Sequence, residues 1–270
     1  QLASGKSGFS RAAYAADYVR RFGFTPDQIP RELSLALGSG SATPLEMARA
    51  YSVWANGGFY VEPYFIREIR DAENTVVFQA NPPLVCPECE QAQASEALFA
   101  ETAAAASEAP EQREEGADPG EPEPGAPEQG APEQAAPVLA ERVVDATNVY
   151  LMTSMMQDVV RRGTARRAMK LGRNDLAGKT GTTNDQRDAW FCGFNGELVT
   201  TVWVGLDRVQ PLGSGETGGR AALPIWIDYM RDALKDVPET VLRQPPGLVT
   251  VRIDPKTGLR LPSGQAGGVF

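Results

Sequence analysis

Apolar side chains recur along this chain with two periods, and together the two periods predict a mixed α/β protein. Apolar positions three and four residues apart predict helices, whereas alternation of apolar and polar positions predicts strands. The helices are predicted over residues 11–21, 44–55, 146–162 and 223–234. The strands form predicted hairpins within residues 60–79, 189–205 and 248–261. We therefore expect an antiparallel sheet with helices packed against its faces.

Local signals predict where several of these helices begin and end. Thr43 can cap the helix over 44–55, Pro44 suits its first position, and Glu46 completes a capping box. Gly23 and Gly163 are placed to end the helices that precede them. The apolar stripes that we expect to face the core are Tyr14, Tyr18, Val19 and Phe22 in the first helix and Val149, Met152, Met156 and Val159 in the third.

The patterning stops between residues 82 and 137, where Pro, Glu, Ala and Gly dominate. Such a composition buries too little apolar surface to offset the entropy of ordering, so it predicts a disordered acidic insert. We expect two parts of one domain at residues 1–81 and 138–247, separated by this insert. A C-terminal hairpin and tail are expected at 248–270. An acidic interaction segment is the alternative interpretation of the insert.

The net charge of -9 belongs to the insert rather than to the folded parts. Residues 88–141 contain 14 acidic residues and one basic residue, Arg113, so the rest of the chain carries a net charge of +4. That charge is too small and too dispersed to predict a nucleic-acid partner. No apolar run reaches the roughly 18 residues that a membrane span needs. Because the chain begins with Gln1 rather than Met, we expect an anchor or signal to lie elsewhere.

The chain contains no histidine, which excludes Ser-His-Asp and Cys-His catalysis and histidine-ligated metals. Any general base must then be Lys, Asp, Glu or Tyr. Cys86 and Cys89 form a Cys-x-x-Cys pair, for which a local disulfide, a free thiol pair and half of a zinc site all remain open. Cys192 stands in an apolar run and is expected to be a buried strand residue. We expect neither a metal nor a cofactor.

A lysine, a glycine and three hydroxyls stand together in Lys179-Thr180-Gly181-Thr182-Thr183. In a strand, Lys179 and Gly181 face one way while Thr180 and Thr182 face the other. Glycine lets a substrate backbone lie close, and the ammonium attracts an anionic substrate group. Backbone N–H groups on an exposed strand edge can donate to a developing oxyanion. The block therefore predicts a substrate-binding strand with Lys179 as its cation.

Two similar patterns are excluded by their surroundings. A phosphate-binding loop ending at Lys179 needs a glycine five positions before Gly178, where Arg173 stands, and a helix after it. The residues after Thr180 instead predict a hairpin. The second Lys-Thr-Gly, at 256–258, follows Asp254-Pro255, which predicts a structural turn.

Lys-Thr-Gly is the third signature motif of the serine β-lactamase and penicillin-binding protein superfamily. With Thr182, Thr183 and the following Trp190-Phe191, this chain resembles the bifunctional class A penicillin-binding proteins. Further resembling segments are residues 33–38, 43–48, 51–58, 163–165, 218–226 and 254–258. A β-lactamase fits the motif but neither these segments nor the long insert. The resemblance implies the α/β transpeptidase fold of this superfamily, incomplete in this chain.

The resemblance also implies a reaction and the residues that take part in it. The family's domain acylates a serine with the penultimate D-alanine of a peptidoglycan stem peptide ending in D-Ala-D-Ala, and then passes the acyl group to an amine. Lys179 would belong to the proton and electrostatic network. Thr180, Gly181, Thr182 and Thr183 would line the substrate, with the Thr182 N–H as one oxyanion donor.

The partners implied are peptidoglycan stem peptides and, in the complete domain, β-lactam antibiotics. The location implied is the periplasmic face of the bacterial inner membrane, reached only through an N-terminal anchor that is not in this sequence.

Two motifs of that family are not found in this chain. No serine is followed by lysine at the third position, and none by asparagine at the second, so the nucleophile motif Ser-x-x-Lys and the motif Ser-x-Asn are both missing. We therefore expect the chain alone to be inactive. A non-catalytic binding or scaffold role in cell-wall synthesis is the alternative.

Overall fold

The computed structural model describes residues 8–90, 92 and 137–262, and these residues fall into two compact units. The first unit comprises the described residues up to Pro63 and from Glu141 onward, and the second spans Tyr64–Ala140. Most of the predicted acidic insert, residues 91 and 93–136, lies outside the described residues. Within the described part of the chain, no helix is long and apolar enough to cross a membrane.

Four α-helices and a three-stranded antiparallel sheet build the first unit. The helices are α1 (Gly8–Val19), α2 (Pro44–Ala55), α3 (Ala146–Arg161) and α4 (Leu223–Ala233). The second unit contains β1 (Glu68–Arg70) and β2 (Val76–Gln79). The sheet of the first unit contains β3 (Ala177–Thr182), β4 (Ala189–Phe194) and β5 (Val199–Val204), in the order β3-β4-β5. The predicted mixed architecture, with an antiparallel sheet and helices, is confirmed.

The turn between β4 and β5 runs from Asn195 to Leu198, with Gly196 and Glu197 between them, and lies within the predicted hairpin over 189–205. The Asn195 side-chain oxygen accepts hydrogen bonds from the backbone N–H groups of Glu197 (3.1 Å) and Leu198 (2.9 Å). This is the local side-chain to backbone bonding that makes asparagine favourable in turns. The register that follows places Cys192 opposite Lys179 on one side and opposite Thr201 on the other.

One face of the sheet packs against α4, and glycines make that contact possible. Gly178 and Gly193 are cross-strand partners, and the ring of Trp226 from α4 lies against Gly193. A Cβ at Gly193 would come within 2.7 Å of the Trp226 ring. Trp226 is fully buried, stacks edge-on against Phe191, and donates its Nε1–H to the carbonyl of Thr200 at 3.1 Å. This is the main hydrophobic core of the unit.

The opposite face of the sheet packs against α2 and α3. Phe194 of β4 and Ala177 of β3 are buried with Met156 of α3, and Tyr51 and Trp54 of α2 pack against them. Cys192 lies on this face with only 2% of its surface exposed, which confirms the predicted buried strand residue. The helices therefore cover both faces of the sheet, as the pattern predicted.

The start of α2 forms as the sequence predicts. Thr43 accepts a hydrogen bond from the Glu46 N–H (3.3 Å), and the Glu46 carboxylate accepts one from the Thr43 N–H (2.7 Å). Pro44 occupies the first position of the helix, where its missing N–H costs nothing.

The predicted inward faces of α1 and α3 are only partly right. In α1 the buried residues are Ala12 and Ala16, whereas Tyr14 is 72% exposed. Small residues let this helix approach its neighbours closely at these positions. Of the predicted stripe, Tyr18 and Phe22 do pack in the core, and Tyr14 does not. In α3 the inward positions are Val149, Thr153, Met156, Gln157 and Val160, while Met152 is 37% exposed. Because Thr153 and Gln157 are buried, the core-facing side of α3 is rotated about the helix axis relative to the predicted apolar stripe.

The ends of the first helix also differ slightly from the prediction. α1 gives way to a single 3-10 turn at Arg20–Phe22, and Gly23 ends it with a positive φ of 91°. Glycine adopts that conformation without the steric cost that other residues incur. The position of the predicted stop is confirmed.

A buried ion pair joins three separate segments of the first unit. Arg173 binds both carboxylate oxygens of Asp175, with Nε–Oδ1 at 2.9 Å and Nη2–Oδ2 at 2.7 Å. Asp175 also accepts from the Asn195 side chain (3.2 Å) and the Thr240 N–H (3.1 Å). Arg173 donates in addition to the carbonyl of Val237 at 2.6 Å. The pair thus fastens the segment leading into β3 to the β4–β5 turn and to the chain after α4.

The predicted C-terminal hairpin is reduced to one bridge between Ile253 and Arg260. Lys256-Thr257-Gly258 lies in the turn between them, where the Asp254 carboxylate accepts from the Lys256 N–H at 2.7 Å. This second Lys-Thr-Gly therefore has the turn structure that its preceding Asp-Pro predicts.

The second unit contains the predicted hairpin of β1 and β2, paired antiparallel with a bulge between Ile69 and Arg70. Leu84 and Leu139 form a parallel bridge in the same unit. Cys86 and Cys89, two residues beyond this bridge, form a disulfide. Of the three possibilities that the sequence left open for this pair, the structure has the local disulfide.

Candidate active site

The candidate site is built on β3, which is an edge strand of the three-stranded sheet. Lys179, Thr180, Gly181 and Thr182 all lie on this strand, and Thr183 follows it directly. Ala177 and Gly178 at its beginning are fully buried, whereas Lys179 and Thr182 are exposed. The strand therefore runs outward from the core, and the five predicted residues lie together where it reaches the surface.

Lys179 and Gly181 share the face of the sheet that packs on α2. Gly181 pairs with Trp190, and a Cβ at Gly181 would lie 3.0 Å from the Trp190 Cβ. The Lys179 ammonium donates to the carbonyl of Thr180 at 2.9 Å and lies 3.5 Å from the Thr180 hydroxyl. The cation is thus held close to its own strand, at the surface, where it can attract an anion.

Thr180 and Thr182 face the other way, as strand alternation predicts, and each has a partner from another segment. The Thr180 hydroxyl lies 2.9 Å from the hydroxyl of Thr164. The Thr182 hydroxyl accepts a hydrogen bond from the Gly218 N–H at 3.0 Å. These contacts fix the direction of both hydroxyls.

Sequence reasoning did not identify Thr164 or Gly218 as parts of this site. Both stand in segments that carry the family resemblance, at 163–165 and 218–226, and that was the available signal. Their contacts with β3 span 16 and 36 residues of chain, so no local spacing could have shown them.

The N–H of Thr182 points away from β4. Thr183 donates its N–H to the carbonyl of Asp188 at 3.1 Å, which makes those two residues a hydrogen-bonded pair of the ladder. Such pairs alternate along antiparallel strands with pairs whose N–H groups point outward. Thr182 pairs with Ala189 in the next position, so its N–H lies on the outer edge of β3.

Side-chain hydrogen bonds hold the loop from Thr183 to Asp188. The Thr183 hydroxyl accepts from the Asp188 N–H at 2.8 Å, and the Asp188 carboxylate accepts from the Trp203 Nε1–H at 2.9 Å. The Gln186 side-chain oxygen accepts from the Gly215 N–H at 2.7 Å. Asp185 and Arg187 form an exposed ion pair at 3.3 Å. The loop therefore holds Thr183 in place at the end of β3.

A cavity of about 730 Å³ opens beside the Lys179 face of β3. Its walls are mainly apolar and come from the sheet, from α2 and from the segment between α1 and α2. The lining includes Ile29, Leu35, Met47, Tyr51, Trp190 and Trp203. Residues 179–183 and Asp188 also line the cavity and form its polar side. The site thus combines an apolar cavity, the Lys179 cation, the Asp188 carboxylate and an exposed strand edge from which the Thr182 N–H points outward.

Two buried groups beside this cavity are held in their neutral forms. Burial raises the pKa of the Cys192 thiol to about 11. Burial also raises the pKa of the Tyr51 hydroxyl, and the neighbouring Cys192 adds to that shift. Neither group is suited to act as a nucleophile or base near neutral pH.

The chain matches the family model described as penicillin binding protein transpeptidase domain over residues 20–230. It is 49% identical to penicillin-binding protein 1A of Pseudomonas aeruginosa over 256 residues, which are 95% of this chain and 30% of that protein. It is 41% identical to penicillin-binding protein 1A of Neisseria lactamica over 87% of this chain and 23% of that protein. The chain therefore spans less than a third of the length of these relatives.

Solved structures show the same relationship. The crystal structure of penicillin-binding protein 1A from Haemophilus influenzae matches with a TM-score of 0.74 and 36% identity, covering 94% of this chain and 35% of that one. The penicillin-binding protein PonA1 from Mycobacterium tuberculosis has the same fold, with a TM-score of 0.58 and 21% identity over 89% of this chain and 57% of that one. Together, the match over 20–230 and these likenesses show that the chain belongs to the penicillin-binding protein transpeptidase domain family and resembles its 1A members.

Proposed function

We propose that this chain is the Lys-Thr-Gly-bearing part of a D,D-transpeptidase domain that cross-links peptidoglycan. The observation that carries the proposal is the exposed edge of β3, where the Lys179 ammonium reaches to 3.5 Å from the Thr180 hydroxyl. The Thr182 hydroxyl lies on the opposite face from Lys179, and the Thr182 N–H points outward from the edge. Membership of the transpeptidase domain family supports the proposal. The structure of the related PonA1 in complex with penicillin V shows that a protein of this fold binds a β-lactam.

The chemistry that these residues would supply is electrostatic and positional. A peptide ending in D-Ala-D-Ala carries a carboxylate, which the Lys179 ammonium and the hydroxyls of Thr180 and Thr182 would attract and orient. A peptide carbonyl under attack develops negative charge, and the outward N–H of Thr182 would donate to it. Gly181 would let the substrate backbone lie against the strand, because it has no side chain on that face.

The nucleophile would have to come from elsewhere, because no serine of this chain stands in a Ser-x-x-Lys sequence. In the proposed reaction a serine oxygen attacks the carbonyl of the penultimate D-alanine and the terminal D-alanine leaves. An amine of a neighbouring stem peptide then attacks the acyl-serine and releases the serine. We propose that this chain alone lacks the acylation step, and that it acts at the periplasmic face of the inner membrane within a longer polypeptide.

Labelling with a fluorescent penicillin tests whether this chain forms an acyl-enzyme. We expect no label to survive denaturation in SDS, because donors without a nucleophile leave only a small residual acceleration. Chain denatured before labelling serves as the blank. A covalent label on the folded chain that maps to any serine would contradict the proposed absence of acylation.

Binding of substrate to β3 can be tested separately by titrating an acylated D-Ala-D-Ala peptide into labelled protein and following amide resonances. We expect shifts at Thr180 to Thr183, and smaller shifts with the same peptide carrying a C-terminal amide, since the ammonium then has no carboxylate to attract. Lys179→Met is expected to reduce the shifts with the acid and not with the amide. Equal responses to the two peptides would argue for the alternative, a scaffold without a substrate site.

A further inference from the structure

The second unit contains a disulfide that the transpeptidase chemistry does not use. Cys86 and Cys89 are only three residues apart in sequence, and both are partly accessible at the surface. A cross-link that closes so short a loop restricts the unfolded chain much less than one that closes a long loop. Its effect is therefore concentrated on the segment that contains it.

Among the residues that the structure describes, that segment is held to the returning chain by the bridge between Leu84 and Leu139. The Leu84 N–H donates to the carbonyl of Val138 at 2.8 Å, and the Ala140 N–H donates to the carbonyl of Leu84 at 2.9 Å. Leu84 and Leu139 form an isolated bridge rather than part of a longer strand. An isolated bridge is stable only while the residues next to it keep their conformation. The disulfide begins two residues after Leu84.

The two sulfurs of the disulfide are not equivalent. The Cys89 N–H donates to the Cys86 sulfur at 3.1 Å, and the Glu90 N–H donates to the carbonyl of Cys86, also at 3.1 Å. A hydrogen bond to sulfur stabilises a thiolate more than a thiol, because the thiolate carries the charge. On reduction, Cys86 is therefore the better leaving group and Cys89 the sulfur that an incoming thiolate attacks.

We propose that Cys86 and Cys89 form a thiol–disulfide exchange site for a dithiol reductant, and that its redox state sets how firmly the Leu84–Leu139 bridge is held. A thiolate of the dithiol bonds to the Cys89 sulfur, the disulfide breaks, and its electron pair leaves on Cys86. The second thiolate of the dithiol then attacks the mixed disulfide and releases Cys89. Two electrons pass to the protein, two protons come from water, and the dithiol becomes a disulfide. This inference does not rest on the proposed function.

The third cysteine provides an internal control for the chemistry. Cys192 is 2% exposed, and burial raises the pKa of its thiol to about 11, so it resists alkylation in the folded chain. We expect dithiothreitol followed by iodoacetamide to label Cys86 and Cys89 under native conditions while Cys192 stays unlabelled. Resistance of the disulfide to reduction until Cys192 also reacts would overturn the proposed exchange site, because it would show that reduction requires unfolding.

Hydrogen exchange tests the second half of the proposal. The disulfide closes a loop of four residues and so lowers the conformational entropy of the open chain. This loss corresponds to about a twentyfold change in the equilibrium between the formed and the open bridge. We therefore expect exchange of the Leu84 and Ala140 amides to quicken roughly ten- to thirtyfold on reduction and in Cys86→Ser/Cys89→Ser. The Val143 amide, which donates to Gly58 in the first unit, should not change, and Cys192→Ala should leave the exchange of Leu84 and Ala140 as it is. Unchanged exchange of Leu84 and Ala140 in the reduced chain would overturn the link to the bridge.

Discussion

Gly218 shows how closely the candidate site depends on a residue outside its motif. It donates to the Thr182 hydroxyl, and it also lies against the backbone of β3 and β4. A Cβ at this position would overlap the carbonyl oxygens of Gly181 and Trp190. Backbone atoms within a strand pair cannot move aside without breaking the ladder, so only glycine fits here.

Gly218→Ala is therefore expected to destabilise the first unit by about 3 kcal/mol or more, since overpacking against backbone is poorly relieved. The measurement is the urea midpoint followed by tryptophan fluorescence. Gly219→Ala is the matched control, because its Cβ would lie 3.2 Å from the Thr164 carbonyl and 3.9 Å from a methyl of Thr180. Equal losses in the two variants would contradict this account of Gly218.

Some residues of the candidate site could be predicted from the sequence, and others could not. The block from Lys179 to Thr183 could be recognised because its chemistry is contiguous and strand alternation assigns its two faces. The partners Thr164 and Gly218 reach it only through the fold, and the apolar cavity beside Lys179 is built by segments far apart in sequence. Tertiary contacts of this kind leave no periodic signal in one sequence.

At the scale of elements, the local signals were most reliable where a side chain bonds to its own backbone. The capping box at Thr43 and Glu46 and the turn at Asn195 depend on neighbouring atoms alone. The box forms as predicted, and the turn lies within the predicted hairpin. The inward faces of α1 and α3 depend on what packs against them, and there the stripes of bulky residues were right only in part. Ala12 and Ala16 are buried where Tyr14 is not, and Gln157 is buried where Met152 is not.

Thr43→Ala should destabilise α2 by about 1 kcal/mol, because it removes the acceptor for the Glu46 N–H at the first turn. Thermal or urea unfolding measures the loss. Glu46→Gln is the control, since a glutamine oxygen can still accept from the Thr43 N–H. If the two variants lose the same stability, the capping box is not the source of the effect.

At the scale of the whole molecule, Asp175 connects parts of the first unit that are distant in sequence. Burial alone would raise the pKa of this carboxyl, but hydrogen bonds from Arg173, Thr240 and Asn195 outweigh it and lower the pKa below the ordinary value. The ionised form is therefore favoured by folding. The ionised Asp175 carboxylate contributes fully to stability above about pH 4, the ordinary carboxyl pKa. This contribution is lost as the pH falls through the lowered pKa that the carboxyl has in the folded chain.

Asp175→Asn should destabilise the first unit by about 3 kcal/mol near neutral pH, because it leaves Arg173 buried without its charge partner. It should also flatten the loss of stability below about pH 4. Urea unfolding across a pH series measures both effects. Asp228→Asn is the matched control, since its ion pair with Arg231 is exposed and should contribute less than about 1 kcal/mol. If stability fell as steeply below about pH 4 in Asp175→Asn as in the unsubstituted chain, the role assigned to the Asp175 carboxylate would be contradicted.

The contact between Gly193 and Trp226 has a consequence for how this sequence can diverge. The indole, together with the ring of Phe191, occupies the volume that any side chain at position 193 would need, so positions 193 and 226 cannot vary independently. A larger residue at 193 is compatible with the fold only alongside a smaller one at 226. Among descendants of this sequence, the order of the two substitutions is thereby constrained: the loss of the indole must come first, leaving a cavity until the second change fills it.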